Sequence, residues 1–68
     1  MTVNVTVNGQ RREVAAATTV GELVATVTEL ATGVAAAVNG EIVPRRHWPG
    51  TQIRDGDQVE VVTAVQGG

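Results

Sequence analysis

The sequence predicts an α+β fold in which one helix packs across one small β-sheet. Three observations predict it: strict polar–apolar alternation over residues 2–7, helical spacing of apolar residues from Val20 onward, and a valine-rich strand pattern over residues 58–65. The 68 residues suffice for one small domain. Cysteine is absent, so we expect stability to come from packing alone, and the fourteen valines favour strands.

The first predicted element is a β-hairpin. Residues 2–7 read Thr-Val-Asn-Val-Thr-Val, which places the three valines on one face of a half-buried strand. Asn8-Gly9 follows, and this pair favours a type I′ turn because both central residues of that turn need φ > 0. An antiparallel returning strand is therefore predicted over residues 10–14.

A capping box marks the start of the predicted helix. The Thr19 hydroxyl can accept a hydrogen bond from the Glu22 N–H, while the Glu22 carboxylate can accept one from the Thr19 N–H. The apolar residues that then share one helical face are Val20, Leu23, Val24, Val27 and Leu30. We expect Gly33 to end the helix.

Short strands are predicted after the helix. An apolar run over residues 34–38 ends at a second turn pair, Asn39-Gly40, and residues 41–43 follow before Pro44, which stops a central strand. The remaining predicted elements are an irregular connection over residues 45–50, a short bridging strand at Ile53, a tight turn at Asp55-Gly56-Asp57 and the last strand, residues 58–65.

Composition excludes several functional classes. The formal net charge is −2, five arginines are the only basic residues besides one histidine, and lysine is absent, which argues against a nucleic-acid-binding protein. The first residues lack the pattern of a secretory signal, and no apolar run approaches the roughly 20 residues of a membrane span. We therefore expect a soluble cytoplasmic protein that binds neither nucleic acid nor membrane.

The residue inventory predicts no catalytic or metal centre. His47 is alone, and the scattered acidic residues provide no nucleophile–base arrangement. Asp55-Gly56-Asp57 lacks the other ligand positions of a calcium loop and is interpreted as a turn. Trp48 is expected to cover the core, while Arg45 and Arg46 are candidates for contact with an acidic partner surface.

The last predicted strand is apolar on both faces. One face carries Val59, Val61 and Val65, and the opposite face carries Val62 and Ala64 together with Glu60 and Gln66. An interior strand with modest exposed apolar surface explains the second set, and a docking patch for a partner protein explains it equally well. Val62 and Ala64 are therefore candidate docking residues.

The sequence closes on Gly67-Gly68, two residues without side chains. We predict a domain over residues 1–64 and a flexible tail over residues 65–68. Taken alone, such a pair indicates a frayed terminus or an expression remnant. It can also form a thin thread that enters a narrow enzyme channel and presents an unhindered carboxylate.

These segments together resemble the small sulfur carriers of the ubiquitin-like β-grasp fold, and within them the thiamine-biosynthesis (ThiS) family. The resemblance extends over nearly the whole chain. The segments that carry it are residues 1–14, 19–23, 38–40 and 42–45, Trp48, residues 55–60 and Gly67-Gly68. The turn and tail also occur in the related molybdopterin-synthase small subunit, whereas Val43-Pro44-Arg45 with Trp48 favours the thiamine family. The expected fold is a mixed sheet of four to five strands with one main helix on one face.

The resemblance implies chemistry at the terminal carboxylate. A ThiF-type adenylyltransferase would use ATP and Mg²⁺ to form an acyl-adenylate at Gly68, and a sulfur donor such as a cysteine desulfurase would leave a thiocarboxylate there. A ThiG-type thiazole synthase would then receive the sulfur. Gly67 and Gln66 would be recognised in the tail, and Val62, Ala64 and Arg45 are the candidate docking residues. The protein would be a co-substrate rather than an enzyme, with no bound cofactor, and a monomer when free.

Two other functions stay open from the sequence. One is sulfur delivery to molybdopterin or cysteine synthesis by the same chemistry. The other is a ubiquitin-like modifier that is conjugated to lysines of target proteins, or a non-covalent adaptor.

Overall fold

The computed structural model describes residues 1–29 and 32–63. Its elements in chain order are β1 (Thr2–Val7), β2 (Gln10–Ala15), α1 (Val20–Val27), β3 (Val34–Val38), β4 (Glu41–Val43), a 3₁₀ helix (Arg45–Gly50) and β5 (Gln58–Thr63). The strands form one sheet in the order β2-β1-β5-β3-β4. The β1–β5 pair at the centre is parallel and the other pairs are antiparallel. This confirms the predicted α+β fold with a mixed β-grasp sheet.

The N-terminal hairpin forms as the sequence predicts. The register runs from Thr2 opposite Ala15 to Val7 opposite Gln10. Asn8 and Gly9 have φ values of 51° and 82°, the left-handed conformation that a type I′ turn requires. The second Asn–Gly pair behaves in the same way, with φ values of 53° and 85° at residues 39 and 40.

The helix begins as predicted but ends earlier. The Glu22 N–H donates to Thr19 Oγ1 at 3.2 Å, and the Thr19 N–H donates to Glu22 Oε1 at 2.9 Å, so the capping box is complete. The helix ends at Val27, and Thr28 is extended with φ −148°. The expected end at Gly33 is therefore wrong, because the β-branched residues at 26–28 resist helical geometry. Leu30 lies outside the described residues.

Two predictions for the second half of the chain are also corrected. The expected irregular connection over residues 45–50 is a 3₁₀ helix, in which the His47 N–H donates to the Pro44 carbonyl oxygen at 2.8 Å. The short bridge is made by Gln52 opposite Thr19, while the neighbouring Ile53 is buried in the core. The Ile53 N–H donates to the Thr18 carbonyl oxygen at 2.8 Å, beside the Thr19–Gln52 bridge. Residues 64 and 65 of the predicted last strand lie outside the described residues.

The core lies between one face of the sheet and the two helices. Its buried members are Val5, Val7, Val20, Leu23, Val24, Ala36, Trp48, Ile53, Val59 and Val61. Trp48 is 7% exposed and its Nε1–H donates to the Val43 carbonyl oxygen at 2.9 Å, which confirms its predicted place over the core. Within residues 1–29 and 32–63, no helix has the length and apolar character needed to cross a membrane.

Candidate functional site

The outer face of the sheet, opposite α1, carries an exposed apolar patch. We define the outer patch as Ala35, Ala37, Ile42 and Val62. The strand register brings these residues together, since Ala35 pairs with Val62 and Ala37 pairs with Ile42. With Gly40 and Glu60 they line a shallow open depression on β3, β4 and β5.

Two large apolar side chains on this face, Ile42 and Val62, are exposed. Ile42 is 71% exposed and Val62 is 62% exposed, whereas Val59 and Val61 on the same strand as Val62 are 1% and 7% exposed. Because side chains alternate along β5, Val59 and Val61 lie in the core and Val62 lies on the outer face. Exposed apolar area of this kind is typical of a protein-interaction surface.

The rest of the outer face is polar. The register aligns Thr6 with Arg11 and Asn4 with Glu13 across β1 and β2, and Thr6 with Gln58 on β5. The apolar surface is thus confined to the half of the sheet made by β3, β4 and the end of β5. That end of β5 is the part of the described chain that precedes residues 64–68 in sequence.

Both Asn–Gly turns hold β5 through their asparagine side chains. At the start of the strand, the Gln58 N–H donates to Asn39 Oδ1 at 3.0 Å. Toward its end, the Val61 N–H donates to Asn8 Oδ1 at 2.9 Å, and Asn8 Nδ2 donates to the Val61 carbonyl oxygen at 3.2 Å. The strand beneath the outer patch is therefore fixed at two points by side chains as well as by its neighbours.

The Asp55-Gly56-Asp57 turn has a structural role, as its hydrogen bonds show. Asp55 Oδ1 accepts from the Asn4 N–H at 2.7 Å, and Asp57 Oδ2 accepts from the Arg54 N–H at 2.8 Å. Gly56 has φ 88°, which favours glycine at the centre of the turn. Among residues 1–29 and 32–63, no three His, Cys, Asp or Glu side chains are grouped so that they could hold a metal ion.

Arg45 is not one of the residues that line the outer patch. Its guanidinium carbon is 5.3 Å from the centroid of the Trp48 ring, a cation–π contact on the 3₁₀ helix. Arg46 and His47 are exposed beside it. Of the sequence-predicted docking residues, Val62 is in the outer patch and Arg45 is not among the residues that line it.

Sequence reasoning missed Ile42 as a docking residue. The signal was present in β4, because Val43 precedes Pro44 and faces inward, so alternation places Ile42 outward. The other predicted site residues, Ala64, Gln66, Gly67 and Gly68, lie outside the described residues.

Comparison with known proteins identifies the family that this chain resembles. The ThiS family model matches residues 5–68, which include both terminal glycines. The sulfur carrier protein ThiS of Escherichia coli (strain K12) is 38% identical over 61 residues, covering 90% of this chain and 92% of that protein.

A solved structure agrees with the fold as well. The crystal structure of thiamine biosynthesis protein ThiS from Geobacter metallireducens matches with a TM-score of 0.74 and 34% identity, covering 97% of this chain and all of that one. The fold, the family model and the relative's sequence thus agree over nearly the whole chain. The chain therefore belongs to the ThiS family, the sulfur carriers of thiamine biosynthesis.

Proposed function

We propose that this protein carries sulfur as a thiocarboxylate on its C-terminal glycine, Gly68, and delivers it to thiazole synthase. The observation that supports this best is the match of the ThiS family model through Gly68, on a domain whose last strand carries an exposed apolar patch. In this proposal the protein is a co-substrate that is loaded and unloaded by partner enzymes.

The chemistry starts from an unreactive group. A free α-carboxylate is ionised at neutral pH and is a poor electrophile. In the proposed first step a carboxylate oxygen of Gly68 attacks the α-phosphorus of Mg-ATP in an adenylating enzyme, and pyrophosphate leaves. The terminal sulfur of a donor persulfide, such as that of a cysteine desulfurase, then attacks the acyl carbon and AMP leaves, which gives an acyl disulfide. A thiol next attacks the donor-side sulfur of the S–S bond, so that a new disulfide forms with the donor and the protein terminus is released as a thiocarboxylate.

The chain's own contribution is binding rather than catalysis. The sequence has no cysteine that could carry a persulfide, and its one histidine, His47, is exposed on the 3₁₀ helix. The terminus is then the position at which sulfur can be attached. The two terminal glycines have no side chains, so they suit a narrow active-site channel in the partner.

We propose that the outer patch docks on the adenylating enzyme. Ile42 and Val62 are exposed on the two strands that flank β3, on the half of the sheet from which the chain continues into residues 64–68. A partner that covers this patch would gain about 25 cal/mol of binding free energy for each Å² of apolar surface that becomes buried. The same contact would hold the terminus close to the partner's active site. Gln66 and Gly67 are the proposed recognition residues of the tail.

Intact mass spectrometry tests the terminal assignment. The protein is incubated with a ThiF-type adenylyltransferase, Mg-ATP and a sulfur source, and replacement of one oxygen by one sulfur is the expected product. Deleting Gly68, or changing Gly67 to Leu, should abolish this product while thermal unfolding stays unchanged, because the core residues in the described part of the chain all lie between Val5 and Val61.

Gly50→Leu is the matched control for Gly67→Leu. No heavy atom lies within 4 Å of the position that a Gly50 Cβ would occupy, so this variant tests a bulky substitution at an exposed glycine outside residues 64–68. It should be charged normally. Charging of the Gly68 deletion would contradict the proposal, and adducts to other proteins would instead indicate a protein modifier. Sulfur transfer to a molybdopterin or cysteine pathway enzyme, and not to thiazole synthase, would reassign the pathway.

A further inference from the structure

Glu60 brings a charge to the outer patch. Side chains alternate along β5, so Glu60 and Val62 are exposed on the outer face while Val61 between them is buried. Glu60 also pairs with Ala37 of β3, which is a member of the outer patch. Among the described residues that line the depression at this patch, Glu60 is the one with a charged side chain. A protein that covers the outer patch therefore also meets the Glu60 carboxylate.

The Glu60 carboxylate has no partner within residues 1–29 and 32–63. It accepts no hydrogen bond and forms no ion pair with that part of the chain. Glu22 and Asp55, by contrast, each accept a backbone N–H, in the capping box and in the turn before β5. Solvent, rather than another described side chain, therefore stabilises the charge of the exposed Glu60.

Docking on the outer patch would take this water away. A partner that packs against Ile42 and Val62 also covers Glu60, because all three line the same depression. A carboxylate that loses its water without gaining a partner weakens binding strongly, and a positive charge with good hydrogen-bond geometry offsets that cost. A surface that binds tightly here therefore needs a positive charge opposite Glu60.

We propose that the outer patch receives an arginine side chain of the adenylating enzyme, which pairs with the Glu60 carboxylate. The methylene groups of that arginine would pack against Ile42 and Val62, while its guanidinium donates two hydrogen bonds to the carboxylate. Arginine is enriched in interfaces, and its planar group matches a carboxylate better than the ammonium of lysine does. This inference rests on the proposed docking of the outer patch and adds the chemistry of the partner surface.

Glu60 would thereby discriminate between partner surfaces of similar shape. A wholly apolar surface would leave the carboxylate buried and unpaired, and an acidic surface would repel it. A surface that combines apolar groups with one cation satisfies both Glu60 and the exposed side chains of Ile42 and Val62. The two apolar residues thus supply binding free energy, and Glu60 supplies specificity.

Glu60→Gln is the variant that tests this pairing. It keeps the length and shape of the side chain and removes its charge. Glu41→Gln is the matched control, because Glu41 is exposed on β4 next to Ile42 but does not line the depression. Both variants change the net charge by the same amount. Thermal unfolding of each should match that of the unaltered protein, because both positions are exposed.

Binding to a ThiF-type adenylyltransferase is measured by titration calorimetry, and the association rate is measured by stopped flow. For Glu60→Gln we expect Kd to rise about tenfold, the loss typical of a hydrogen bond to a charged group. Association should also become slower and less sensitive to NaCl, because one attractive charge pair is lost. Glu41→Gln should bind as the unaltered protein does, with the same salt dependence.

Glu60→Lys distinguishes a cation on the partner from a neutral hydrogen-bond donor. Two facing cations repel each other, so this variant should bind about tenfold more weakly than Glu60→Gln. Equal affinities of Glu60→Lys and Glu60→Gln would show that no cation faces this position, and the proposal would be wrong.

The remaining outcomes separate this inference from the proposed function. Unchanged or tighter binding of Glu60→Gln would overturn the inference and leave docking on the outer patch intact. Equal weakening in Glu60→Gln and Glu41→Gln would also overturn it, because net charge rather than a contact would then set the affinity. If the unaltered protein neither bound the enzyme nor formed an adenylate, the proposed function would fail and this inference with it.

Discussion

The two faces of the sheet carry similar side chains but have opposite roles. On the inner face, Val59 and Val61 are covered by the helices and are almost fully buried. On the outer face, Val62 of the same strand and Ile42 of β4 are exposed and have no covering element in the described chain. The difference shows that what covers an apolar side chain, rather than the side chain itself, decides whether it stabilises the fold or is available to a partner.

The largest expected effect comes from a charge on the inner face. Val59→Asp places an unpaired carboxylate at a position that is 1% exposed, which costs about 4 kcal/mol or more and equals the stability that a core of this size supplies. We expect the variant to be unfolded by circular dichroism at 25 °C. A cooperative urea transition at the wild-type midpoint would contradict the inner-face assignment.

The same substitution on the outer face should spare the fold and weaken docking. Val62→Asp is expected to change the free energy of unfolding by less than about 0.5 kcal/mol, because Val62 is 62% exposed. Binding to the adenylating enzyme should weaken about tenfold, measured by titration calorimetry, since a charge would be desolvated in the interface.

Gln58→Asp is the control for Val62→Asp. Gln58 is exposed on the same strand, next to the polar half of the outer face. It should leave both stability and binding unchanged. Equal weakening in the two variants would mean that net charge, and not the outer patch, determines binding.

The smallest expected effect tests the element that covers the inner face. Thr19→Ala removes the N-cap acceptor for the Glu22 N–H and should lower the free energy of unfolding by about 1 kcal/mol. Thr19→Ser keeps a hydroxyl acceptor and should retain most of the stability. Charging of Gly68 in folded Thr19→Ala should be normal, because the cap is on the face away from the outer patch. Urea denaturation measures the stability of Thr19→Ala and Thr19→Ser, and mass spectrometry measures the charging of Gly68.

Most of the secondary structure could be predicted because its signals are local. Both Asn–Gly turns adopt φ > 0, the capping box forms as predicted, and alternation in residues 2–7 places Val5 and Val7 in the core. The end of the helix at Val27 was missed, because the apolar spacing continues to Leu30 although the β-branched residues at 26–28 already oppose helical geometry. Alternation with Val43 places Ile42 outward, but only the pairing of β4 and β5 with β3 brings it onto the same exposed surface as Val62.

Sequence by itself determined the order of the elements, the turn types and the start of the helix, because each depends on residues only a few positions apart. Only the tertiary structure decided which parity of β5 faces outward, that Asn8 and Asn39 both hold β5, and that Ala17 adopts φ 74° between β2 and α1. These features depend on contacts between segments far apart in the chain. The packing of the whole domain supplies the free energy that a left-handed alanine costs, about 1 kcal/mol, and no local pattern predicts where that occurs.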